Sequence, residues 1–241
     1  MMPTAVIVGA HSAIAQAMAT RWLPHYEVIT VSRRQHAPLE AMATASDRRH
    51  RHYESDYSGA SLTEIAQTIK GQDVQRVFCC VGTLHDAQVF PEKKLTQLDP
   101  AHLHHYFEVN TVIPAMVLRA FVPVLERSQQ GAMAFLSAQI GSISDNRLGG
   151  WYGYRATKAA LNMLIKTASI ELARTHKQMC VVAMHPGTTD SPLSEPFQSR
   201  IAAERLYTPA QTAERLDRIL RGLTPEDSGQ LYHWDGSVLP W

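Results

Sequence analysis

Cysteine is scarce in this sequence: Cys79, Cys80 and Cys180 are the only three in 241 residues. No two form a CxxC pair, and an odd number does not suit a disulfide framework, so a reducing, cytoplasmic setting is expected. Charge of one sign is also lacking. The formal net charge is +1, which leaves no global field to gather nucleic acid or an anionic membrane surface. Histidine is plentiful, at twelve, yet no HExxH or Cys/His ligand spacing appears. His102, His104 and His105 cluster, but the last two diverge on a helix, so no metal site is expected. The opening MMPTAVIVGAHSAIA lacks the basic lead of a secretion signal and turns polar at His11 and Ser12. Apolar runs fall short of a membrane span. These absences leave a soluble globular chain, 45% hydrophobic and 19% charged. It is long enough for one large domain over 1–241.

What is present is an alternation of short apolar runs with helical patterns, the signature of βαβ units around a parallel sheet. Strands are expected at Thr4–Val8, Val28–Ser32, Arg51–Tyr53, Arg76–Val81, Ala132–Ser137, Met179–His185 and Gln230–Trp234. Helices are expected over Ser12–Leu23, Ser61–Lys70, Tyr152–Thr175 and from Thr208-Pro209 to Arg221. Asp99-Pro100 opens a further long helical region that runs past Asn110 and is kinked or interrupted at Pro114. The fold class is therefore α/β, doubly wound, with about seven mostly parallel strands flanked by helices on both faces. The run Arg48-Arg49-His50-Arg51-His52 reads as a solvated stretch.

Immediately after the first strand comes Gly9-Ala10-His11-Ser12-Ala13-Ile14-Ala15. A tight turn feeding a helix offers free backbone N–H groups and the positive end of a helix dipole to a phosphate. Only Gly9 is glycine there; Ala13 and Ala15 stand where a glycine fingerprint would continue. The second strand ends Ser32-Arg33-Arg34, without the acid that binds ribose hydroxyls in NAD-selective sites. Guanidinium groups bind phosphate oxygens, so NADP (NADPH) is expected over NAD.

Tyr154-Arg155-Ala156-Thr157-Lys158 sits near the start of the long helix. A spacing of four places Tyr154 and Lys158 on one helical face. A lysine ammonium beside a phenol lowers its pKa and makes it a usable proton donor to a carbonyl or acceptor from an alcohol. Cys79 and Cys80 point to opposite faces of a strand and read as packing residues. Trp151, Trp234 and Trp241 border either the substrate pocket, a subunit contact or the core.

The ordered set resembles the short-chain dehydrogenase/reductase family across the whole chain. It comprises VGAHSAIA, Cys79-Cys80-Val81-Gly82, Asn110, YRATK and HPGTTDSPLS. GSISDN, GGWYGYRATKAALN and LTPEDSGQLYHWDGSVLPW are similar to the C-factor (C-signal) branch. The resemblance implies a Rossmann-type domain with a cofactor half at about 1–130 and a catalytic and substrate half at about 131–241. It implies that Tyr154 is the general acid/base, that Lys158 holds the nicotinamide ribose, and that Asn110 helps hold a water in a proton relay. Gly9, His11, Ser12 and Ile14 would line the phosphates. Ser32, Arg33 and Arg34 would meet the 2′-phosphate and Asp56 the adenine, while Cys80 and Gly82 would border the ribose. Pro186, Gly187 and Thr188 would border the carboxamide, with Thr189–Leu193 starting a substrate loop. A small-molecule carbonyl or alcohol substrate and a homodimer or homotetramer are implied as well.

The chain departs from the family at its catalytic serine. That position falls on Ala138, with Ser137 one residue early; Ser137, Ser142, Ser144 or no serine stands in for it. Loss of a hydroxyl that polarises the carbonyl costs on the order of 100-fold in rate, by analogy with an oxyanion donor. A nucleotide-binding regulator or signalling protein with little turnover is the rival reading.

Overall fold

The computed structural model describes residues 2–34, 49–125, 128 and 131–241. Its main sheet has strands β1 (Thr4–Val8), β2 (Glu27–Ser32), β3 (His50–Glu54), β4 (Val74–Cys79), β5 (Ala132–Leu136), β6 (Cys180–His185), β9 (Leu231–His233) and β10 (Val238–Leu239), in the order β10-β9-β6-β5-β4-β1-β2-β3. All neighbours pair in parallel except β10 with β9. A separate pair joins β7 (Thr188–Thr189) to β8 (Leu206–Tyr207). The order reverses between β1 and β4, and open parallel sheets bind ligands above that switch point. The main sheet thus has eight strands among the described residues, one more than expected. The two-residue strands β7, β8 and β10 are too short to leave a period-2 pattern.

Parity along the strands builds two cores. Val6 and Val8 of β1 face one side, with Leu62 and Ile65 of α2 (Gly59–Thr68), Val117 and Phe121 of α4 (Ile113–Leu125), and Leu161 and Ile165 of α5 (Tyr152–Thr175). Ala5 and Ile7 face the other, with Met18 and Trp22 of α1 (Ala13–Trp22) and Leu216 and Leu220 of α6 (Pro209–Gly222). Successive strand side chains point to opposite faces, so a run apolar at every position must be covered on both.

The long helical region breaks earlier than Pro114. α3 (Pro100–Phe107) starts under Asp99, whose carboxylate accepts from the Ala101 and His102 N–H groups at 2.9 and 3.1 Å. A π-turn, Glu108–Val112, then carries the chain into α4, with the Ile113 N–H donating to the Glu108 carbonyl. Pro114 lacks the N–H that would otherwise meet the Asn110 carbonyl, so the break falls one turn before the proline. Taken together, Pro100–Leu125 is long and apolar enough to cross a bilayer, which corrects the expectation that no run reaches that length; Val117 and Phe121 bury it against the sheet. The His/Arg run is likewise not a solvated stretch: 50–54 form β3, and His50 is buried with its Nε2 2.8 Å from Thr30 Oγ1. Arg48 lies outside the described residues.

Candidate functional site

A cleft of about 400 Å³ opens at the carboxyl ends of the central strands. The turn after β1 forms one wall through Gly9, His11, Ser12 and Ile14. Gly9 has φ +88°, and a Cβ there would lie 2.8 Å from the Val81 N. Only glycine lets this turn press against the end of β4. Ser12 is the N-cap of α1 but makes no side-chain cap bond, and the first turn holds no acid. The helix therefore presents unpaired N–H groups to the cleft. Cys80, Val81 and Gly82 form the floor, and a Cβ on Gly82 would stand 3.1 Å from Lys158 Nζ. Leu136, Ser137, Tyr154, Lys158 and Pro186 close the far side.

The Arg-containing turn divides. Arg33 lines the cleft, its guanidinium 5.6 Å from the ring centroid of Tyr57. Arg34 is exposed and outside the lining; its carbonyl accepts from Ser32 Oγ and lies 2.8 Å from His11 Nε2. Ser32 is buried and shapes the turn. Asp56 is not at the cleft either: it is exposed, and its carboxylate accepts from the Ser58 N–H at 2.8 Å. Tyr57 takes its place in the lining, held at φ +67°, and no sequence pattern marked it.

At the chemical end, α5 begins without a side chain of its own at the cap. Trp151 has φ +51° and makes no cap bond. Buried Glu92, sixty-one residues away, accepts from the Gly153 N–H at 3.1 Å, and its carbonyl accepts from Trp151 N–H. One turn in, Tyr154 is buried, and Lys158 Nζ sits 5.7 Å from its ring centroid while donating to the Leu136 carbonyl at 2.9 Å. The ammonium does not lower the phenol as expected from sequence. Burial holds Tyr154 well above the ordinary phenol range and brings Lys158 down to about 8. Desolvation of both groups outweighs their mutual effect.

Asn110 is fully buried and locks the π-turn in place. Its Oδ1 accepts from the Thr83 N–H at 2.8 Å, and its Nδ2 donates to the Thr83 carbonyl and to Thr157 Oγ1. Its side chain is thus occupied by the fold.

The serines are equally decided. Ser137 borders the cleft, but its hydroxyl donates to Asn162 Oδ1 at 2.6 Å, so it is turned toward α5. Ser142 is buried and borders neither cavity, and Ser144 donates to the Trp241 carbonyl. Ala138 packs with Tyr154, Leu84 and Tyr106. Of the candidate serines, Ser137 alone borders both cavities, with its hydroxyl hydrogen directed to Asn162.

A second cavity of about 210 Å³ shares Tyr154 with the first and continues past Ala138 and Trp151 to Gly187, Thr188 and Phe197. Of Trp151, Trp234 and Trp241, the first borders it, the second lies 5.1 Å from Tyr207, and the third packs on the core. His185 also borders it; burial, aided by His233, brings the ring down to about 3 and keeps it neutral. Burial pushes the Cys79 thiol up to about 12 and raises that of Cys80 as well, which keeps both protonated. No cluster of three metal-ligating side chains occurs among the described residues.

The glycine turn, the bare helix terminus, the floor at Gly82 and Arg33 fit a nicotinamide dinucleotide, with Lys158 and Tyr154 at its nicotinamide end. The comparisons agree. The profile of the short chain dehydrogenases matches residues 3–202. The chain is 32% identical over 173 residues to 1-hydroxy-2-glutathionyl-2-methyl-3-butene dehydrogenase of Rhodococcus sp., covering 71% of this chain and 70% of that protein. It is 30% identical over 147 residues to C-signal of Myxococcus xanthus, covering 61% and 83%. The carbonyl reductase Sniffer of D. melanogaster shares the fold at a TM-score of 0.86 and 21% identity, and the NADPH-bound carbonyl reductase from chicken fatty liver at 0.83 and 21%, each over 100% of both chains. Sequence span, sheet order and the lining of one cleft converge, and this chain belongs to the short-chain dehydrogenase/reductase family, as a nicotinamide-dependent oxidoreductase of CH–OH or C=O groups resembling the C-signal branch.

Proposed function

We propose that the chain is an NADPH-preferring carbonyl reductase, working also in reverse as an alcohol dehydrogenase, with Tyr154 as its proton donor and acceptor. The observation that carries this reading is the position of Tyr154 and Lys158: buried one turn apart, and lining the cleft that also holds the Gly9 turn and Arg33. When bound, the reduced cofactor supplies a hydride. Tyr154 gives its phenolic proton to the carbonyl oxygen. Because burial holds that phenol high, it stays protonated until charge develops on the substrate. Lys158 keeps a positive charge below about pH 8, where it favours the phenolate left behind and orients the ribose. The Asn110 carbonyl holds a water that returns the proton. Arg33 rather than Arg34 meets the 2′-phosphate.

Exposed Phe107, Val112, Met163 and Ile170 on α3, the π-turn and α5 support a homodimer or homotetramer through these helices. Three buried free cysteines suit a reducing cytoplasm. Ala138 is what favours the rival reading, a nucleotide-binding signalling protein with little turnover. The experiment that separates them is NADPH oxidation with a panel of aldehydes and ketones, for wild type and Tyr154→Phe. The reductase reading expects turnover that falls at least about 100-fold in the variant, with NADPH affinity nearly unchanged. NADPH binding without turnover by the wild type would establish the regulator.

A further inference from the structure

The strand beside Ala138 ends in a side chain that the mechanism above leaves unused. Leu136 of β5 pairs with Met184 of β6, and the Ser137 N–H donates to the Met184 carbonyl at 2.8 Å. His185, the last residue of β6, therefore stands across from Ser137, one position before Ala138. Paired residues on neighbouring strands point to the same face. Ser137 is turned to Asn162 of α5, the helix that carries Tyr154, which puts His185 on the Tyr154 side of the sheet. His185, Ala138 and Tyr154 line one cavity of about 210 Å³.

Most side-chain donors on that wall are engaged. Ser137 donates to Asn162, Ser191 and Ser194 both donate to the Thr189 carbonyl, and the Thr189 hydroxyl pairs with that of Thr212 at 2.8 Å. Besides Tyr154, the donors left are Thr188, Trp151 and His185. The Nδ1 of His185 is enclosed without a hydrogen-bond partner among the described residues, whereas its Nε2 is not enclosed in this way. Burial beside His233 keeps the ring neutral. A neutral imidazole carries one proton, and on Nδ1 it would be a stranded, buried N–H; it belongs on Nε2. The ring is fixed from behind by His233, which stacks on it at 5.4 Å and has its own Nδ1 3.0 Å from Asp235 Oδ2.

Resting on the reductase reading, we propose that His185 is a catalytic residue, whose Nε2–H donates a hydrogen bond to the substrate carbonyl oxygen in place of the hydroxyl missing at Ala138. In reduction the carbonyl carbon takes the cofactor's hydride, the C=O π pair moves to oxygen, and that oxygen takes the Tyr154 proton. The cofactor is oxidised by two electrons as the carbonyl is reduced. The Nε2 proton stays on His185 throughout, and its hydrogen bond tightens as charge grows on the oxygen.

The test measures kcat/KM at saturating NADPH with benzaldehyde, propiophenone and menadione as probes. His185→Phe keeps a ring and removes the N–H; it should lower kcat/KM about 100-fold, with NADPH affinity and the urea midpoint nearly unchanged. His185→Gln, which restores an N–H, should stay within about tenfold of wild type. Ala138→Ser should recover at least about tenfold in the His185→Phe background but change the otherwise native chain less than about threefold. This last arm needs no alteration of His185, so it decides even if His185→Phe fails to fold: a larger gain would show that no second donor is present and overturn the proposal. Wild-type rates in His185→Phe overturn it too, as does a loss in Thr188→Val or Trp151→Phe that Ala138→Ser restores, which would place the donor there. No NADPH oxidation by the wild type with any carbonyl would sink the reductase reading itself, whereas turnover indifferent to His185→Phe would sink this proposal alone.

Discussion

Replacing Lys158 with Met should remove activity and yet stabilise the fold. Lys158 is buried at 3% exposure, and burial brings it from 10.5 to about 8. At about 1.36 kcal/mol per pH unit, that displacement amounts to about 3 kcal/mol by which folding disfavours the charged amine. Against this stands the bond from Nζ to the Leu136 carbonyl, whose loss costs about 1–1.5 kcal/mol. Methionine matches the stem in length and leaves no buried charge, so the net gain at pH 7 is about 2 kcal/mol. The sign fixes its pH dependence. Below pH 8 the lysine is protonated in both states and the penalty is fully present. Between 8 and 10.5 the unfolded chain binds more protons, so wild-type stability rises with pH and the advantage of Lys158→Met disappears. Urea unfolding of both proteins from pH 6 to 10 measures this difference, and titrations common to both cancel. A variant no more stable than wild type at pH 7, with a difference that does not change up to pH 10, would refute the reasoning.

Substitutions at Arg33, Arg34 and Glu92 test how the site is positioned. Arg33→Ala should raise the NADPH dissociation constant about 10- to 100-fold, from the loss of a charge-assisted contact of about 1.5–3 kcal/mol, and leave NADH within about twofold. Arg34→Ala should change both cofactors little, since Arg34 lies outside the cleft lining; fluorescence titration decides, and an Arg34 effect as large as that of Arg33 contradicts the assignment. Glu92→Ala should cost about 1–2 kcal/mol by uncapping α5, with Glu92→Gln recovering most of it. An unchanged urea midpoint for Glu92→Ala would show that the cap contributes nothing.

The doubly wound sheet was legible because its central strands β1 and β5 are largely apolar and because α3 and α6 carry their own caps. Asp99-Pro100 and Thr208-Pro209 announce helix starts, and the spacing predicts Tyr152–Thr175 to the residue. The Tyr154 and Lys158 pair was legible for the same reason, since helix geometry fixes what a spacing of four brings together. Contacts between distant segments left no such trace. Glu92 caps a helix that starts sixty residues later, Tyr57 reaches the cleft through a left-handed backbone that Asn or Gly more often adopts, and Asn162 claims the Ser137 hydroxyl across two elements. The phenol's pKa was misread because a pairwise rule ignores how deeply both partners are buried.

A π-turn is a helix with one residue more than its winding needs, and each residue of an α-helix advances about 100°. The segment Glu108–Val112 therefore resets the phase between the two halves of Pro100–Leu125. On one side of it Tyr106 is aimed at the Leu84 carbonyl; on the other, Val117 and Phe121 are aimed at the sheet. The extra residue itself lets Asn110 and Thr111 grip Thr83 and Thr157 together. Shortening the segment by a single residue would heal the helix and swing either its apolar stripe or its grip on α5 out of place. The register of the core and the grip of Asn110 and Thr111 on Thr83 and Thr157 are thus set by one shared length of chain.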